Sequence, residues 1–113
     1  ITIFNLRNLL KDMKALIEKN LREIERICKE HFVRKLYTFG SVNTDKFQDN
    51  SDIDLLVEFG EIEIEGYADN YFNMCDDLEK ILKRKVDLVT VKSVKNPYFK
   101  KELDNTRQLI FAA

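Results

Sequence analysis

The sequence holds one proline, three glycines and no tryptophan in 113 residues. So few turn-formers cannot serve a fold built on many tight hairpins, and they exclude collagen-like and low-complexity chains. No stretch approaches the ~20 apolar residues of a membrane-spanning helix. An excess of one charge sign is also lacking. The 19 Lys+Arg stand against 20 Asp+Glu, a net charge of −1, which gives no global grip on a nucleic-acid backbone. The two cysteines, Cys28 and Cys75, fall in helical patterns and form no C-x-x-C. They read as reduced thiols of a cytoplasmic protein, not as a disulfide or a metal site. Residues Ile1 to Leu6 have no basic region followed by an apolar core, so they do not read as a secretory signal. The sequence does not begin with Met, so residues can precede Ile1. What remains is 44% hydrophobic and 35% charged. At this length those proportions predict one globular domain over 1–113 with a core of its own.

Apolar residues recur at helical spacing from 5 to 31: Leu6, Leu9, Leu10, Met13, Leu16, Ile17, Leu21, Ile24, Ile27 and Cys28. This N-terminal helical segment, 1–31, reads as one long helix or as two with a joint near Asn20; the joint is favoured because Asn20 and Glu23 have the spacing of a capping box. The remainder, 35–113, contains the other elements. Lys35 to Phe39 reads as a first strand ending at Gly40, Asp52 to Phe59 as a second, and Val86 to Val91 as a third. Between the last two, a glutamate-rich connector precedes a helix from Tyr67 to Arg84. Asn96-Pro97 reads as an N-cap with proline in the first helical position. It opens a closing helix whose stripe is Phe99, Leu103 and Ile110. The order predicts a two-layer α+β or α/β domain, taken here as α+β: a small mixed β-sheet packed with α-helices on one face.

Ser51-Asp52-Ile53-Asp54 heads the most apolar strand. Side chains two apart on a strand share a face, so Asp52 and Asp54 would stand together while Ile53 and Leu55 face the core. Neighbouring carboxylates repel, and a hard divalent cation such as Mg²⁺ removes that conflict. Asp87 lies in an otherwise apolar strand, where a carboxylate must be paired, metal-bound or at an edge. If the third strand neighbours the second, Asp87 completes a three-carboxylate cluster. An exposed face of an antiparallel strand would also accommodate it. Gly40-Ser41 directly follows the first strand, where a bare backbone and a hydroxyl suit phosphate oxygens.

Together these elements give the pattern G-S, ten residues, D-x-D, and a later strand carrying Asp87. The pattern resembles the signature of the DNA polymerase β-like nucleotidyltransferase superfamily. The stretch LYTFGSVNTDKFQDNSDIDLLVEF, with RKVDLVT and NPYFKKELDNTRQLIF, is similar to its small stand-alone members, the minimal nucleotidyltransferases or MNT proteins. The resemblance implies the polymerase β-like nucleotidyltransferase fold. It implies two Mg²⁺ ions on Asp52, Asp54 and Asp87, with Asp87 towards the attacking hydroxyl, and a triphosphate held at Gly40 and Ser41. Many relatives carry Arg-Gly in the loop before D-x-D. Here that loop is Val42 to Phe47, without arginine. Lys46 is its candidate substitute, as a point charge lacking the guanidinium fork.

The resemblance also implies an antitoxin that transfers AMP from ATP to a tyrosine of a cognate helical HEPN ribonuclease toxin. The short chain leaves little protein beyond the core to wall an acceptor site, so another chain is expected to complete it. No membrane and no direct nucleic-acid partner are expected, and a homo-oligomer stays open. Two alternatives stand beside this reading: a small-molecule, aminoglycoside-like nucleotidyltransferase, and a toxin-binding module with weak catalysis. The apolar stripes of Leu6 to Cys28 and Tyr67 to Leu82 exceed what three strands can cover, which leaves apolar surface for a partner chain or for packing between the helices.

Overall fold

A computed structural model describes residues 15–39 and 52–113. Residues 15–19 are helical and stop in a turn at Asn20, so the helical segment breaks where expected. The expected capping box is not formed. The Asn20 side-chain amide donates back to the Leu16 carbonyl at 2.9 Å, and Glu23 pairs with Arg26 instead. An asparagine after a helical turn finds that free carbonyl closer than the N–H groups ahead of it. Helix α1 then runs Leu21–Glu30 and buries Ile24, Ile27 and Cys28.

Strands β1 (Val33–Thr38) and β2 (Ile53–Phe59) pair antiparallel. Helix α2 (Ile64–Leu82) crosses to β3 (Val86–Thr90), which pairs parallel with β2. A short 3₁₀ turn, Val91–Ser93, leads to helix α3 (Pro97–Thr106). There Asn96 caps as its sequence promises, its side-chain oxygen accepting from the N–H groups of Tyr98 and Phe99. The closing helix ends sooner than its periodicity suggests. Gln108–Ala112 forms a fourth strand, β4, antiparallel to β1. Leu109, Ile110 and Phe111 suit a strand as well as a helix, and the free edge of β1 offers hydrogen-bond partners that a longer helix would forgo. The mixed sheet has the order β3-β2-β1-β4.

Alternation along the strands gives the sheet two apolar faces. One carries Leu36, Ile53, Leu55, Val57, Val86, Leu88 and Phe111, packed with α1 and with Met74, Leu78 and Leu82 of α2. The other carries Leu56 and Phe39 against Leu103 of α3, flanked by Tyr37, Val89 and Val94. The chain is thus layered helix, sheet, helix, three layers and not the two expected, because β2 is apolar on both faces and each face needs a cover.

At the junction of α1 and α2 sits His31, the most buried polar residue described. Its backbone carbonyl accepts from the Asn70 amide at 2.9 Å. This orients Asn70 so that its oxygen lies 3.0 Å from His31 Nδ1, which therefore donates. Nε2 meets Asp77 at 3.1 Å. The cysteines follow the core. Cys28 is fully buried, and burial pushes its thiol up to about 12. Cys75 is half-buried and raised by the same cause. In native protein at pH 8, iodoacetamide is expected to modify Cys75 slowly and Cys28 not at all, with both reacting after unfolding in urea. Peptide mass spectrometry checks this, and rapid native labelling of Cys28 would contradict the packing of α1.

Candidate active site

The parallel register of β2 and β3 sets Asp54 opposite Asp87. Paired residues on adjacent strands share a face, and Leu56 and Val89, two residues on along each strand, identify it as the α3 face. Asp52 stands half-buried immediately before β2, where the Ile53 N–H donates to the Lys85 carbonyl at 2.9 Å. The same end of the sheet receives the end of β1, because the Phe39 N–H donates to the Asp54 carbonyl at 3.2 Å. Phe39 packs edge-on against Phe99 of α3, with ring centres 6.1 Å apart. Strand pairing therefore brings Asp54 and Asp87 together, with Asp52 at the head of the same strand. The chain enters this place just before Gly40. Gly40, Ser41 and Lys46 lie outside the described residues.

Oxygen donors on two neighbouring strands, on the face away from α1 and α2, fit a hard divalent ion in chemistry. Among the described residues, the three potential metal ligands whose donor atoms lie within 4.8 Å of one another are Glu30, His31 and Asp77, not the three aspartates. The aspartates share one end of the sheet through the register of β2 and β3. A cleft of about 1080 Å³ lies at the other end of β2, lined by Phe59, Ile64, Tyr67 and Val91 among others, and includes none of the aspartates.

Two residues that sequence reasoning did not single out hold the backbone around Asp87. Tyr71 donates its hydroxyl to the Leu88 carbonyl, and Glu79 accepts from the Val86 N–H at 2.9 Å. Burial first, then Cys75 and the charge of Asp87, push the Tyr71 hydroxyl up and keep it in the donor form. The only signal in the sequence was their spacing on α2, eight residues apart on one stripe, which helical core packing alone would also produce.

This arrangement can be compared with known proteins. A Methanocaldococcus jannaschii protein named "Putative protein adenylyltransferase" is 40% identical over 95 residues, covering 81% of this chain and 94% of that protein. The solved structure of a "putative minimal nucleotidyltransferase" superposes with a TM-score of 0.66 at 23% identity, covering 88% of this chain and 93% of that one. A complex of a tri-AMPylated Shewanella oneidensis HEPN toxin with an MNT antitoxin contains a chain of the same fold. Its TM-score is 0.58 at 17% identity, covering 85% of this chain and 72% of that one. The nucleotidyltransferase domain family matches residues 21–110, a span holding every strand but the last residues of β4, together with all three aspartates. With the two-sided sheet and the in-register Asp54 and Asp87 already in place, the match makes this chain a member of the nucleotidyltransferase domain family.

Proposed function

We propose that this protein transfers AMP from ATP to a hydroxyl of a partner protein, a tyrosine of a cognate HEPN-type toxin, and thereby acts as its antitoxin in the cytoplasm. The observation that carries the reading is the pairing of Asp54 with Asp87 on adjacent parallel strands, in a chain 40% identical to a protein named for adenylyl transfer to protein. A HEPN toxin bearing AMP, in complex with a protein of this fold, supports the class of acceptor.

Asp52, Asp54 and Asp87 would hold Mg²⁺, which when bound neutralises phosphate charge and eases loss of the acceptor proton. Gly40 and Ser41 would receive the triphosphate, with Lys46 adding positive charge. The acceptor oxygen bonds to the α-phosphorus, the bond from that phosphorus to the bridging oxygen breaks, and pyrophosphate leaves. The hydroxyl proton passes to solvent water as the new bond forms. In this scheme Asp87 lies towards the acceptor, and its exposure on an edge strand leaves it open to a second chain.

The test is incubation of the purified protein with α-labelled ATP, Mg²⁺ and a purified HEPN-type helical protein as the proposed cognate partner. Label on a tyrosine of the toxin, not formed when EDTA is present from the start, is the expected result. Equal transfer from all four nucleoside triphosphates would remove ATP as the specific donor. A toxin neither bound nor labelled would remove the antitoxin reading and favour a small-molecule acceptor.

A further inference from the structure

We infer that Tyr71 and Glu79 are positioning residues for Asp87, acting together as a clamp on the edge strand that carries it. The inference rests on the proposed role of Asp87 as the third carboxylate. β3 closes one side of the sheet, with β2 as its one strand neighbour. Backbone groups of successive residues on a strand point to opposite sides. The Lys85 carbonyl points to β2, where it accepts from the Ile53 N–H, and Asp87 has the same parity. The groups of Val86 and Leu88 therefore point outward, where the described residues supply no further strand.

Those are the two residues that α2 holds. The Glu79 carboxylate takes the Val86 N–H at 2.9 Å, and the Tyr71 hydroxyl donates to the Leu88 carbonyl. One side chain accepts and the other donates, which is what a neighbouring strand would offer at those two positions. The two contacts bracket Asp87 from both sides, and both come from one helix packed on the sheet through Met74, Leu78 and Leu82. An unpaired edge strand is free to twist or shift. This one is fixed at the residue whose carboxylate must face Asp54. Supporting groups of this kind, which orient a ligand without touching the ion, typically change metal affinity by about 10–100-fold when removed.

The experiment uses Mn²⁺ alone as probe, with affinity read from the free-ion EPR signal, alongside NMR exchange of the Val86 amide and thermal melting. Y71F and E79M are expected to weaken Mn²⁺ binding about tenfold and to speed exchange at Val86. E79Q retains an acceptor oxygen and is expected to stay close to wild type. Adding Y71F to D87N should cause no further loss, because Tyr71 acts through Asp87. Wild-type Mn²⁺ affinity in both Y71F and E79M, with D87N impaired, would overturn the clamp while leaving the proposed function standing. A loss from Y71F that persists undiminished in the D87N background would overturn it too, showing a general structural effect. D87N with unaltered Mn²⁺ affinity and AMP transfer would instead overturn the role of Asp87 itself, and the clamp's purpose with it. Should Y71F fail to fold, the contrast between E79M and E79Q decides alone.

Discussion

Asp54→Asn is expected to reduce AMP transfer on the order of a thousandfold, while the melting temperature stays within a few degrees of wild type. The two halves of that result have one source. Asp54 is half-buried on the α3 face of β2 and faces Asp87 across the parallel pair. Asparagine has nearly the same shape, so the strand keeps its packing. What changes is the charge. An amide is a poor ligand for a hard cation, and a site with one fewer carboxylate no longer balances the ion and the phosphates it carries. Removing one of two facing like charges also offsets part of any lost hydrogen bond. Transfer measured with α-labelled ATP, beside a circular dichroism melt, checks both halves. Activity within a few-fold of wild type would show that Asp54 is not a metal ligand.

The adjacent residue should behave in the opposite way. Leu55 is 1% exposed and points into the packing between the sheet and α1 and α2. Leu55→Ala removes buried methyl groups and leaves a cavity that neighbours as tightly held as Ile53 and Val57 cannot fill. The expected cost is about 3 kcal/mol. Set against the 5–15 kcal/mol typical of a domain, that lowers the melting temperature by roughly 10–20 °C. Activity at low temperature should survive, because Leu55 contributes nothing to the opposite face. A melting temperature unchanged by this substitution would mean that the core does not depend on β2 as the packing indicates.

The opposite expectations for these two neighbours follow from features legible in the sequence. Period-2 alternation in Asp52 to Leu55, and a lone carboxylate between Val86 and Leu88, follow from local chemistry, and the chain's order of elements placed them in one sheet. Other parts depend on partners distant in sequence. Leu109 to Phe111 satisfy helical and extended patterns alike, and the unpaired edge of β1 settles the choice. Asn20 had two acceptable hydrogen-bonding arrangements, and the carbonyl of Leu16 decided between them. Tyr71 and Glu79 looked like ordinary members of an amphipathic helix. Their contacts to Leu88 and Val86 exist only once α2 lies along the sheet edge. Gly40, Ser41 and Lys46, although conspicuous in the motif, rest on the sequence alone.

The Asp54–Asp87 register also sets which insertions the protein can survive. An extra residue in the connector between β2 and α2 lengthens a loop and costs little, since loop entropy grows slowly with length. An extra residue between Arg84 and Val86 can shift β3 by one place against β2. Because strand side chains alternate with a period of two, such a slip would carry Asp87 under α2 and expose Val86 and Leu88 on the α3 face. Core and site would then fail together. Natural length variation among proteins built this way is therefore expected to gather in the connector and to avoid the short approach to β3.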